Sequence, residues 1–242
     1  NGSAPYKQVL THGFFVDEEG KKMSKSLGNV IAPQSIINSM GADILRLWVA
    51  STDYTSEMRI SDQILKRNGD TYRRIRNTTR FLLSNLGDFN PDKHSIDYSD
   101  MLLLDQWIMN RLSVINQSIQ TDYEEYSFHR IIQTLHNFCV NDMGGFYLDI
   151  IKDRLYTMPA NSKGRRSAQT VLLHIAESLV RWIAPVLSFT AEEIWQLLPR
   201  RQVPSVFLSE WHDIVATNDN NDYEMILGLN EVAAKALEIA RD

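Results

Sequence analysis

Ser61-Asp-Gln-Ile-Leu65-Lys66-Arg-Asn-Gly-Asp70-Thr-Tyr72-Arg73-Arg74-Ile75-Arg76-Asn-Thr-Thr-Arg80-Phe-Leu82-Leu83-Ser-Asn-Leu86-Gly87 reads as one long helix. Leu65, Tyr72, Ile75, Leu82, Leu83 and Leu86 keep the 3.6-residue period of a helix with one buried face. Ser61 suits the N-cap and Gly87 the stop. Further segments carry the same period. Residues 100–121 place Leu104, Trp107, Ile108, Leu112, Ile115 and Ile119 on one stripe. Ser127 is read as the cap of a third long helix that runs through Ile131, Leu135, Phe138, Met143 and Phe146 to Ile150. A basic linker, 159–166, leads to a fourth with Val171, Leu172, Ile175, Leu179 and Trp182, which Pro185 must kink or end. Four long helices with connections of moderate length predict a mainly α chain folded as an up-down bundle.

The flanks are less regular. Residues 8–31 read as a small β-hairpin and loop, with Asp17-Glu-Glu-Gly20 as the turn. Pro33 suits a first helical position and Gly41 a stop, and residues 43–50 form a short apolar helix. Thr190-Ala-Glu-Glu193 has the spacing of a capping box for a helix through Leu198. Residues 203–211 read as a short extended segment and 222–241 as an acidic helix. The expected organisation is 1–60 as hairpin and connecting helices, 61–212 as the helical domain, and 213–242 as the start of a further region.

Composition narrows the function classes. The chain has 242 residues, 43% apolar and 23% charged, which excludes wholesale disorder. No apolar run approaches the roughly 20 residues that span a bilayer, and the first residues lack a signal peptide's charged and apolar regions. Cytoplasm without membrane attachment is expected. The first residue is not Met, so the chain is expected to be a piece of a longer protein or a processed product. Cys139 is the single cysteine. It excludes intramolecular disulfides and zinc sites built on paired cysteines, and on an apolar stripe it reads as a buried thiol. The histidines lack metal-ligand spacing, so no metal is assigned. Net charge is −5, but residues 201–242 carry three basic and eight acidic residues and hold the whole imbalance. Residues 61–86 carry six basic against two acidic, and such local patches steer partners more than the total does.

Two constellations carry chemistry. Lys22-Met-Ser-Lys25-Ser26-Leu-Gly28-Asn29 is a polar loop with two ammonium groups and two hydroxyls. Lysine is a compact point charge on a flexible stem, suited to a polyphosphate whose charge grows during reaction. The bland alternative is a solvated Lys/Ser turn. The second constellation is Lys66, Arg73, Arg76 and Arg80, which fall within about a quarter of a turn at 100° per residue. Arg74 extends this stripe. It flanks the apolar face without overlapping it, and can follow a phosphate backbone or merely solubilise the helix. Arg165 and Arg166, in the 159–166 loop, are read as further candidates for RNA contact. Trp107, Trp182, Phe138 and Phe146 read as core. Tyr72 and Tyr156, beside basic residues, are the better candidates for base stacking.

The loop resembles the signature loop of class I aminoacyl-tRNA synthetases, matching it throughout residues 22–26. Gly41-Ala-Asp-Ile-Leu-Arg-Leu-Trp48, Tyr72-Arg-Arg-Ile-Arg-Asn77, Tyr147-Leu-Asp-Ile-Ile-Lys-Asp-Arg154 and Ala184-Pro-Val-Leu-Ser-Phe-Thr-Ala-Glu-Glu-Ile-Trp195 resemble the isoleucyl branch of that family. The resemblance implies an anticodon-binding bundle, ATP with Mg as the nucleotide, and tRNA-Ile as the partner. It implies that Lys25 binds ATP and stabilises the leaving pyrophosphate, with Lys22 in support and Ser24 and Ser26 shaping the loop. The family's His-Ile-Gly-His motif, amino-acid pocket and cysteine-paired zinc segment have no counterpart here. The resemblance therefore implies a parent that activates isoleucine, and a chain that is inactive alone. A valyl or other class I relative, and a helical interaction module without RNA binding, are the rival readings.

Overall fold

A computed structural model describes residues 2, 4–216 and 228. The acidic helix expected over 222–241 lies outside them except at Gly228, which is helical. In chain order the elements are β1 (Phe15–Val16), α1 (Pro33–Met40), α2 (Ala42–Ser51), β2 (Met58–Arg59), α3 (Asp62–Ser84) and α4 (Pro91–His94). Then come α5 (Leu103–Glu124), α6 (Phe128–Asn137), a π-helical segment (Phe138–Tyr147), α7 (Leu148–Ile150), α8 (Lys152–Thr157), α9 (Lys163–Ile183) and α10 (Ser188–Trp195).

The N-terminal hairpin is smaller than expected. A single antiparallel bridge, Val16 to Lys22, closes the turn over 17–20. β1 instead pairs in parallel with β2, Phe15 opposite Met58 and Val16 opposite Arg59. Parallel strands need a crossover, and α1 with α2 supplies it. Gly13 donates to the Tyr54 carbonyl at 2.8 Å, and a Cβ at Gly13 would collide with the Ser56 carbonyl. That close approach draws the N-terminal segment onto residues 54–59 and away from its sequence neighbour. Val16 is then buried beside a small core of Ile36, Trp48, Met58, Ile60 and Leu65. Gly41, at φ +93°, breaks α1 from α2.

α3 starts as read: the Ser61 hydroxyl accepts from the Ile64 amide. It stops earlier than Gly87, because the Asn85 amide closes on the carbonyls of Leu82 and Leu83 and its side chain donates to Phe81. The third helix is not one α-helix. It widens to π geometry over Phe138–Tyr147, where a Cβ on Gly144 or Gly145 would crowd the carbonyl five residues back. Ser127 makes no side-chain cap; its amide closes the end of α5 on the Asp122 carbonyl, with Tyr126 at φ 58° between them. α9 ends two residues before Pro185, as the missing amide of proline requires.

The bundle is not a simple up-down one. α3 packs on α9 and the π segment, whereas α5 packs on α6 and α9. Consecutive long helices α3 and α5 are therefore diagonal partners, and residues 85–102 carry the chain across one end. Leu82, Ile108, Leu112, Ile131, Phe138, Val171, Ile175 and Trp182 are sealed in the shared core. Each such side chain contributes about 1.5–3 kcal/mol by leaving water. Trp107 meets Phe146 edge-on at 5.3 Å and Phe138 meets Trp182 at 5.9 Å, as the apolar stripes imply.

One buried carboxylate fastens an end of this bundle. Asp105, fully buried on α5, accepts from Tyr147 at 2.8 Å, Ser167 at 2.5 Å and Arg154 at 3.1 Å. Burial pushes its carboxyl above the usual range, opposed by the Ser167 hydrogen bond and the Arg154 charge. Asp105→Ala would strand the buried Tyr147 and Ser167 hydroxyls and the half-buried Arg154 charge, and is expected to cost about 3–5 kcal/mol in urea unfolding.

A strap after α10 runs over α9. Its His212 ring lies 2.9 Å from His174, the Arg181 guanidinium donates to the Glu210 carbonyl, and Trp211 packs on Tyr123. Burial disfavours the charged form of both rings: His174 titrates below its ordinary value and His212 falls to about 3. The unfolded chain takes up these protons first. The stability contributed by the neutral pair is thus present above about pH 6.5 and lost as pH falls towards 3. The urea midpoint, followed by tryptophan fluorescence, is expected to fall between about pH 7 and pH 4, and more steeply than in the His174→Gln/His212→Gln variant.

Candidate nucleic-acid and phosphate-binding surfaces

The loop over 22–29 is folded by its own side chains. The Asn29 carboxamide accepts from the Ser24 amide at 2.9 Å and donates to Asp17 at 2.8 Å. Asp17 in turn holds the amides of Glu19 and Lys21, so one carboxylate organises the preceding turn. The Ser24 and Ser26 hydroxyls lie 3.1 Å apart, and the Leu27 and Gly28 amides close tight turns on Ser24 and Lys25. Gly28 takes φ +69°, a left-handed backbone that glycine adopts without strain. Lys22 is exposed and its ammonium sits 3.9 Å above the Phe14 ring. Lys25 is exposed and has no ion-pair partner among the described residues. Its free donors face solvent on a loop whose shape is set from within.

A groove lined by Asp17, Glu18, Ile31, Ile60, Asp62 and Lys66 joins this loop to the start of α3. Lys66, Arg73, Arg74, Arg76 and Arg80 are all exposed, along about 21 Å of that helix between Lys66 and Arg80. Arg73 pairs with Asp70. Lys66, Arg74, Arg76 and Arg80 have no ion-pair partner among the described residues. The face is therefore positive and largely uncompensated, and the core side of the helix is clear of it.

Arg165 and Arg166 do not belong to this surface. They sit in the first turn of α9 and not on an exposed loop. Arg166 is buried and its guanidinium meets the Asp88 carbonyl, Gln169 and Asn161. Arg165 reaches the Leu155 carbonyl and the Asp88 carboxylate. Both tie α9 to the turn after α3, which corrects their placement on an exposed loop. Tyr72 is half-buried with its hydroxyl 3.0 Å from Thr190, so its ring is not free to stack. Tyr156 stays 63% exposed near the end of α8.

Sequence reasoning missed Asp17, Asp43 and Arg46. Asp43, on α2, takes the amide and hydroxyl of Thr190 at 2.9 and 2.6 Å, and Arg46 takes the carbonyls of Pro185 and Val186. Thr190 thus lies inside α10 and caps nothing; the cap comes from Asp43, 147 residues upstream. No local signal in the sequence marks a cap supplied from that distance.

The fold is that of a class I tRNA synthetase segment. Residues 1–61 match the family described as tRNA synthetases class I (I, L, M and V). Residues 105–242 match the anticodon-binding domain of tRNA ligase, and the chain belongs to that family. An isoleucine–tRNA ligase of Ruthia magnifica is 56% identical over 239 residues, covering 98% of this chain and 26% of that protein. The isoleucine–tRNA ligase of Alkalilimnicola ehrlichii is 58% identical over 220 residues, 91% of this chain and 23% of that protein. The chain thus spans about a quarter of the length of these relatives. The fold is shared with a Mycobacterium tuberculosis methionyl-tRNA synthetase, at a TM-score of 0.66 and 19% identity over 81% of this chain and 39% of that one.

The Asn29 hydrogen bond is the largest influence holding the Asp17 carboxyl below its ordinary value, ahead of the Lys21 amide. Asn29→Ala is expected to raise the Asp17 pKa, read by NMR titration, and to speed hydrogen exchange at the Ser24 amide.

Proposed function

We propose that this chain is the phosphate-loop and tRNA-binding portion of an isoleucine–tRNA ligase acting in the cytoplasm. The parent activates isoleucine with ATP and transfers it to tRNA-Ile. The observation that carries this reading is the run of exposed, largely uncompensated cations on α3, adjoining a preformed loop whose Lys25 has no ion-pair partner among the described residues. A polyanion fits both. Along α3, guanidinium groups pair with successive phosphate oxygens and fix the register of a nucleic acid without reading its sequence.

On the loop, Lys25 takes the phosphates of ATP. Its ammonium offsets the charge that builds on pyrophosphate as it leaves, an interaction stronger in the transition state than in the ground state. Lys22 supports from its perch over Phe14, and Ser24 and Ser26 hold the turn that aims Lys25. ATP, with its Mg, supplies the adenylate and the leaving group. No helix among the described residues is long and apolar enough to cross a membrane.

The rival reading, a helical interaction module, predicts no salt-dependent RNA binding. Fluorescence anisotropy of the chain with tRNA-Ile decides between them. Affinity is expected to fall steeply with salt. An Arg73→Ala/Arg76→Ala/Arg80→Ala variant is expected to flatten the log–log slope by about 0.7–0.9 for each phosphate it no longer neutralises. Isoleucine-dependent ATP–pyrophosphate exchange is expected to be undetectable from the chain alone.

A further inference from the structure

α2 packs on α1, α3, α6 and α10, so it touches both the loop-bearing half and the bundle. On the bundle side its Asp43 carboxylate, buried to 8% exposure, accepts from the amides of Phe189 and Thr190 and from the Thr190 hydroxyl. These are the donors that an N-cap side chain normally takes, and Leu187 at the head of α10 offers none. With the Thr190 proton given to Asp43, the Tyr72 hydroxyl donates to the Thr190 oxygen at 3.0 Å. Tyr72 is the immediate neighbour of Arg73 on the basic helix.

On the other side of α2, the Trp48 indole donates to the Arg59 carbonyl at 3.1 Å, and its ring lies 5.8 Å from Phe15. Met23, inside the lysine loop, packs against the same small core as Trp48. The Met23 amide also donates to the Phe15 carbonyl. Contacts therefore run from Tyr72 through Thr190 and Asp43 to α2, and from Trp48 through Phe15 and the small core to Met23 at the root of the loop.

We infer that Tyr72, Thr190 and Asp43 form a positioning joint through which RNA engagement on α3 orders the lysine loop. The inference rests on the reading of α3 as the RNA-binding face. The loop is suited to respond, since the bonds around Lys25, Ser24 to Ser26 and Leu27 to Ser24, are exposed and short in range, whereas Asn29 anchors only its ends. RNA that favours one setting of α3 against α2 favours the same setting of the loop, because the buried joint has few alternatives.

Hydrogen exchange of the 242-residue chain tests this, with an anticodon-arm RNA hairpin as the probe. In the unmodified chain, saturating hairpin is expected to slow exchange at the Ser24, Leu27 and Gly28 amides by about fivefold or more. Tyr72→Phe removes one hydroxyl. It is expected to bind the hairpin with unchanged Kd while losing the slowing at the loop. Thr190→Val is expected to lose it as well, and Thr190→Ser, which keeps the hydroxyl, to retain it. If Thr190→Val does not fold, Tyr72→Phe decides alone. A Tyr72→Phe chain that still slows the loop overturns the joint, as does an unmodified chain that binds the hairpin with no change at the loop. Weakened binding by Tyr72→Phe also overturns it, by making Tyr72 an RNA contact. No binding by the unmodified chain overturns the reading of α3 itself, a distinct result.

Discussion

A single buried carboxylate constrains how the bundle closes. Asp105 projects from the first turn of α5 into the place where the π segment, α8 and α9 meet. A lone charge there would be costly, and the carboxyl is indeed held above its ordinary value. Its partners offset that cost only when all three elements are docked together. Tyr147 comes from the π segment, Arg154 from α8 and Ser167 from α9. The interaction therefore adds less to stability than to uniqueness: other packings of the same apolar stripes leave at least one of these groups unpaired. The widened helix before Tyr147 belongs to the same arrangement, since it is what carries that hydroxyl to Asp105.

α2 shows a similar economy at the other end. Leu47 and Ala50 enter the bundle core while Trp48 enters the smaller one, so a ten-residue helix belongs to both. Asp43 and Arg46, one turn apart, meet the first amides of α10 and the Pro185 and Val186 carbonyls of the turn before it. The Asp43 carboxylate faces the positive end of α10. The turn at Pro185 and the start of α10 are thus held by a segment far away in the chain. That is why the turn at Pro185 needs no cap of its own.

Much of this was legible in the sequence, for physical reasons that separate the successes from the errors. The apolar stripes of α3, α5 and α9 follow from burial of one face, and Ser61 caps α3 through a local bond. The lysine loop carried its resemblance in consecutive residues. The errors fall where long-range partners decide. Arg165 and Arg166 look solvated beside Gly164 and Ser162, but Asp88, from the turn after α3, draws them inward. Thr190 has the spacing of a cap, yet Asp43 takes over that role. The π segment reads as ordinary helix, because the period of its apolar residues cannot register a change in backbone hydrogen bonding. The β1–β2 pairing was hidden by the helices between the strands.

The cations on α3 have a consequence for the free protein. Arg73, Arg76 and Arg80 recur at three- and four-residue spacing, where like charges on a helix repel by a few tenths of a kcal/mol per pair. Arg76 and Arg80 have no acidic partner among the described residues to relieve it. The surface is thus mildly strained by its own field, and a polyanion laid along it, as proposed, would relieve the strain as well as add contacts. By mass action, a ligand held only by the folded state at about a hundred times its Kd adds about 2.7 kcal/mol to that state's stability. On the proposed reading of α3, the melting temperature of this chain is in effect a gauge of how full its basic face is, and comparisons of its stability have meaning only at stated salt and polyanion concentration.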